Sequence, residues 1–164
     1  MERLRALTAL PGLAGQEDRV IAYLREQMAG ADSVDVDRMG NVCAFVKGSD
    51  PDAPTVMIFA HSDELGLVVK RIEESGFLRV ERLGGIPERG LPALRVVVHG
   101  SRGDLPGVMG AKSHHLTPPE EKYQVVPVTR LYVDIGARSR EEALAMGVRV
   151  GTGITYAPAF ERLG

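Results

Sequence analysis

Thr55-Val56-Met57-Ile58-Phe59-Ala60-His61-Ser62-Asp63-Glu64-Leu65-Gly66 joins an apolar run to a short polar segment. Its first six residues are continuously β-favouring and nearly all apolar, without the alternation of a half-exposed strand, so they read as a central strand covered on both faces. Polar residues begin at His61, the C-terminal end of that strand, where open α/β sheets collect their ligands. While the backbone stays extended, residues two apart point to the same side, and His61 and Asp63 face one volume. A neutral imidazole is a good zinc ligand, and a carboxylate accepting its other N–H fixes the tautomer and raises its basicity. His-x-Asp at a strand end is therefore a candidate metal motif, with His61 as ligand and Asp63 as the group that orients it.

Upstream, Leu4, Leu7 and Leu10 recur at helical spacing until Pro11-Gly12, and Val20, Ile21, Leu24 and Met28 mark a second helix before Gly30. Val34-Asp35-Val36-Asp37 alternates, Met39-Gly40-Asn41 supplies a turn, and the apolar run at 42–46 returns as a more buried strand, which together predict a hairpin. The first 60 residues thus have α/β character. From Leu65 onward the texture changes to short β-favouring runs at 67–72, 77–80, 94–99, 105–109, 131–135 and 148–156, separated by Gly-rich turns, which is the pattern of a small β-barrel. One helix interrupts it. Ser139 can cap that helix, Glu142 three residues later completes a capping box, and Gly147 stops it.

Composition narrows the function classes. The chain has 164 residues, 44% of them hydrophobic, enough to bury a core. The net charge is −2 with basic residues scattered along the chain, so there is no stripe for nucleic acid. The longest apolar runs are too short to span a bilayer, and no signal-peptide core opens the chain, so the expected setting is cytoplasmic. The single Cys43, inside an apolar run, reads as a buried small hydrophobe and not a nucleophile.

Other candidates are weaker. His114 and His115 are adjacent and would point to opposite sides of an extended loop beside Thr117-Pro118-Pro119, so surface or interface histidines are expected and not a chelating pair. Asp134 sits in an alternating strand and is expected to end it by bonding backbone. Gly84-Gly85 and Gly151-Thr152-Gly153 are turns, since neither opens a helix that could cradle phosphate.

Several ordered motifs together resemble one family. The segment 60–66 is similar to the first metal motif of the M42 metallopeptidases, the glutamyl aminopeptidase and endoglucanase M-like group. Leu10-Pro11-Gly12-Leu13-Ala14-Gly15-Gln16-Glu17, Asp37-Arg38-Met39-Gly40-Asn41, Leu83-Gly84-Gly85-Ile86, Gly107-Val108-Met109-Gly110, Ser113-His114-His115 and Tyr132-Val133-Asp134-Ile135-Gly136-Ala137 continue the match in order. Ser62 stands where the family more usually has Met.

The resemblance implies an α/β zinc-aminopeptidase sheet with an inserted small, PDZ-like β-barrel used in dimerisation. Residues 1–64 would be the N-terminal part of the catalytic domain, 65–156 the barrel, and 157–164 the start of the return. It implies two divalent metal ions, zinc or cobalt, with His61 as a ligand and Asp63 beside it; at most one ion, weakly held, is expected on this chain. Family members are longer, and their remaining ligands and the water-activating Glu lie downstream of the matched region. The expected function is hydrolysis of N-terminal residues from peptides at a site incomplete in these 164 residues, which alone are expected to be inactive. Expected partners are a peptide substrate, further copies through the barrel, and possibly a separate C-terminal half, with no nucleic acid and no membrane. The alternative is a non-catalytic oligomerisation or binding module. A glycosidase reading finds no support, because Asp63 and Glu64 are sequence neighbours and not the opposing walls of a cleft.

Overall fold

The computed structural model describes all of residues 1–164 and divides into two compact units, one of residues 1–64 with 160–164, the other of residues 65–159.

The first unit opens with two helices, α1 (Glu2–Ala9) and α2 (Asp18–Gln27). Leu10-Pro11 ends α1, since proline holds the preceding residue in the extended region, and Leu10 adopts ψ 132°. Strands β1 (Ser33–Val36) and β2 (Val42–Phe45) pair antiparallel, with Val36 opposite Val42 and Ser33 opposite Phe45. Their turn is held by Asp37, whose carboxylate accepts the backbone N–H groups of Met39 and Asn41 and the Asn41 side-chain amide. The Asn41 side-chain bond is the main reason the Asp37 carboxyl lies below its usual range. The expected hairpin is present, but two expectations fail here. β2 is largely exposed and Cys43 is an exposed free thiol, because the hairpin has no third strand and little cover.

The larger correction concerns residues 55–60, which form no strand. Val56, Met57, Ile58 and Phe59 are exposed, Ile58 to 94%. A strand needs neighbours for its N–H and C=O groups, and the only sheet in this unit is the β1–β2 pair, which does not extend to it. Before Leu67 the only buried apolar side chains are Leu13 and Val20.

The second unit is a closed barrel of six antiparallel strands: β3 (Gly66–Ile72), β4 (Leu78–Leu83), β5 (Arg95–Gly100), β6 (Gly103–Gly110), β7 (Tyr132–Asp134) and β8 (Gly153–Tyr156). Their order around the barrel is β3-β4-β7-β6-β5-β8, closing β8 onto β3. Closure leaves no open edge. A register shift between Val69 and Arg71 bends β3, as an extra residue in one strand does. The β3–β4 turn requires Gly76, at φ 88°, since a Cβ there would lie 2.4 Å from the Ala137 carbonyl oxygen.

Inward-facing residues fill the barrel. Leu67, Val69, Leu78, Val80, Val96, Val98, Met109, Val133 and Ile154 are buried at alternate positions, with Leu91, Leu131 and Val148 closing the core. Helix α3 (Arg140–Ala145) adds Ala143 to that core. Ser139 caps it, accepting the Glu142 N–H at 3.2 Å, while the Glu142 carboxylate accepts the Arg138 N–H at 2.8 Å, one residue before the expected position. The six strands and the capped helix are those the sequence pattern anticipates.

Candidate functional site

Residues 61–64 are positioned from one side. Glu64 is tied to the turn after α1, donating its N–H to the Gly12 carbonyl at 2.7 Å, while its carboxylate accepts the Gly12 N–H at 2.9 Å. Leu13 runs parallel to Glu64 in an isolated bridge and is 1% exposed, so its apolar side chain anchors the crossing. Position 12 is tight for a side chain. A Cβ there would meet the Ser62 carbonyl oxygen and Val20 Cγ2, each at 3.0 Å.

On this support His61 and Asp63 meet. His61 Nδ1 lies 3.0 Å from the Asp63 carbonyl oxygen and 3.1 Å from Asp63 Oδ1. Both partners are acceptors only, so in the neutral ring Nδ1 carries the proton and Nε2 keeps the lone pair. The imidazole side chain is 85% exposed, which leaves Nε2 accessible. The two residues that the sequence singles out are thus brought into contact, with Nε2 left out of that contact.

A divalent transition metal needs three or four protein donors. No three His, Cys, Asp or Glu side chains converge anywhere in the chain. Its own residues therefore offer one oriented donor and do not make a complete metal site. A shallow groove of about 550 Å³ lies between α2 and β1, lined by Ala22, Arg25, Asp32 and Val34 among others, and none of residues 61–64 lines it.

His114 and His115 form a short 3₁₀ turn, His114–Leu116, with rings edge to face at 5.9 Å. They are exposed and belong to no cluster of metal-binding side chains. Asp134 does what its place suggests, accepting the Gly136 N–H at 2.8 Å where β7 ends.

Two arrangements have little signal in the sequence. One is the Gly12–Glu64 clasp, whose only sequence signal is the Pro-Gly after α1. The other is His99, whose Nδ1 lies 2.8 Å from Asp104 Oδ1 and whose Nε2 lies 2.9 Å from Thr155 Oγ1. The carboxylate must accept, so Nδ1 donates, and in the neutral ring Nε2 accepts the Thr155 hydroxyl. Thr155 is 4% exposed, so this carboxylate, imidazole and hydroxyl series ties β5, β6 and β8 together and offers no nucleophile to a substrate.

The family model for M42 glutamyl aminopeptidase matches residues 40–164. A lysyl aminopeptidase of Pyrococcus furiosus is 38% identical over 168 residues, covering 99% of this chain and 47% of its own length. Among solved structures, aminopeptidase APDkam598 of Desulfurococcus kamchatkensis superposes with a TM-score of 0.92 at 38% identity, covering 99% of this chain and 44% of that one. The TET1 peptidase of Pyrococcus horikoshii, whose structures include a tetrahedron and a large octahedral shell, gives 0.82 at 33% identity, over 94% and 46%. The chain spans just under half the length of the relatives it matches.

Proposed function

The chain belongs to the M42 glutamyl aminopeptidase family, and on that premise we propose that its residues 1–64 supply one flank of an aminopeptidase active site completed by groups outside these 164 residues. Asp63 holds the His61 ring so that Nε2 faces outward as a metal ligand, zinc or cobalt being the ions that the family resemblance implies. The observation that carries this is the His61–Asp63 contact, with Nδ1 occupied by two acceptors and the side chain exposed. The absent groups would be the further ligands and the base that takes the proton from water. The reaction is release of N-terminal residues from peptides.

The test is reconstitution. The 164-residue chain is expected to release no amino acids from peptides, and to do so in metal-containing buffer once mixed with the C-terminal portion of the P. furiosus relative. His61→Ala in that mixture should lower kcat/KM at least a thousandfold. Asp63→Ala should cost about 10–100-fold, the usual loss when the group orienting a metal-binding histidine is removed. Activity of the 164 residues alone would show that the catalytic groups have been misassigned.

The barrel of residues 65–159 is proposed as a PDZ-like assembly domain that pairs with copies of itself. The assemblies formed by the TET1 relative support this. Sedimentation at tens of micromolar should show dimers or larger species, and monomer alone would count against it. The exposed free Cys43 suits a reducing, cytoplasmic setting. A purely non-catalytic module is less well supported, since such a role would not need His61 and Asp63 in contact.

A further inference from the structure

We propose that Gly12 and Glu64 are positioning residues for His61: by holding the peptide group between Asp63 and Glu64, they aim its carbonyl at the imidazole Nδ1. The inference rests on the aminopeptidase reading for what His61 does, and adds which residues outside the His61–Asp63 pair set its ring.

One peptide group makes both contacts. Its N–H, on Glu64, donates to the Gly12 carbonyl at 2.7 Å, and its C=O, on Asp63, lies 3.0 Å from His61 Nδ1. The peptide is trans and planar, so its C=O and N–H point in opposite directions. With the N–H committed to Gly12, the carbonyl points away from the turn after α1, to the side where the imidazole lies. Donating at one end and accepting at the other polarises the group, so each hydrogen bond strengthens the other.

Two further features keep that peptide from rotating. The Gly12 N–H donates to the Glu64 carboxylate at 2.9 Å, so Glu64 is bound to residue 12 through both its main chain and its side chain. A Cβ at position 12 would lie 3.0 Å from the carbonyl oxygen of Ser62, the residue between His61 and Asp63, so glycine lets the segment sit close. The His61 side chain is 85% exposed, and hydrogen bonds rather than packing must fix its ring. Asp63 Oδ1, at 3.1 Å, supplies one acceptor and the peptide carbonyl the other. Removing the carboxylate alone therefore leaves the ring a partner.

The test is long-range proton–nitrogen correlation NMR of the imidazoles in the full 164-residue chain, with His61→Gln assigning the signal. It is run at a pH well above the ordinary imidazole value of about 6.5, where the nitrogen shifts report which ring nitrogen holds the proton. A free imidazole prefers it on Nε2, whereas His61 is expected to hold it mainly on Nδ1. Glu64→Ala and Gly12→Ala should each lower the ratio of Nδ1–H to Nε2–H at least about threefold, the effect of losing roughly one net hydrogen bond. Glu64→Gln keeps an acceptor for the Gly12 N–H and should retain most of the preference, and Asp63→Ala should retain part of it. Barrel amide signals at their wild-type positions show that each variant is folded. A wild-type ring protonated mainly on Nε2, a ratio unmoved by both Glu64→Ala and Gly12→Ala, or an Asp63→Ala ring indistinguishable from free imidazole would each overturn the proposal. Reconstituted peptidase activity with a ratio that ignores Glu64→Ala would sink this inference alone, whereas the expected ratios without reconstituted activity would sink the aminopeptidase reading alone.

Discussion

Gly12 and Glu64, 52 residues apart in sequence, exchange two hydrogen bonds: the Glu64 N–H donates to the Gly12 carbonyl and the Gly12 N–H donates to the Glu64 carboxylate. This clasp holds residues 61–64 against the turn after α1, in a unit where Leu13 and Val20 are the only buried apolar side chains. So much depends on it because so little else packs there.

Breaking the clasp should loosen this corner and leave the barrel intact. Glu64→Ala removes the charged acceptor, and a hydrogen bond to a charged group contributes about 1.5–3 kcal/mol. Gly12→Ala drives a Cβ against the Ser62 carbonyl oxygen. In either variant, amide exchange at residues 12 and 64 is expected to rise at least about tenfold, with barrel amides unchanged. Unaltered exchange at both positions would show that the clasp does not form in solution.

The two units should differ in protection. Barrel strands, hydrogen-bonded on both sides and packed on one core, are expected to exchange slowly, and residues 34–60 of the dilute, isolated chain quickly. Mass-spectrometric hydrogen exchange measures this directly. Uniform protection across both regions in a demonstrated monomer would mean that residues 1–64 are self-sufficient, and the reading of an incomplete unit would have to be abandoned.

Thr155→Val should destabilise the barrel by about 1–2 kcal/mol, because it leaves His99 Nε2 facing a methyl group in a largely buried site. Thr155→Ser keeps the hydroxyl and should recover the hydrogen-bond part of the loss. Urea midpoints at constant slope report it, and equal stability of the Val variant and wild type would show that the network contributes nothing.

Acid should weaken the barrel partly through Glu73. Its carboxyl is held below its ordinary value near 4.5, chiefly by the hydrogen bond that Arg79 donates at 2.8 Å. A carboxylate whose folded value is depressed adds stability that is present above the unfolded value and is lost as pH falls through the folded one. Between pH 5 and 3, Glu73→Gln should therefore lose stability less steeply than wild type. Arg79 also donates to the Leu131 carbonyl and lies 5.8 Å from the Tyr132 ring centroid, so Arg79→Ala should cost more than Glu73→Gln. Parallel pH profiles for Glu73→Gln and wild type would rule out this contribution.

By itself the sequence determined whatever depends on neighbours along the chain. Helices α1 and α2, the β1–β2 hairpin with its turn at Met39-Gly40-Asn41, the six barrel strands and the Ser139 cap all follow from periodicity, turn residues and caps acting over a few residues. His61 and Asp63 were legible for the same reason, being two residues apart. The tertiary structure alone decided what needs a partner far off in sequence: that β8 closes on β3, that Gly12 receives Glu64, and that His99 reaches Thr155 from a neighbouring strand. It also decided against the sequence at Cys43 and at residues 55–60. Apolar composition records what a segment would bury, whereas burial requires a second surface, and for Val56 to Phe59 no strand within these 164 residues provides one.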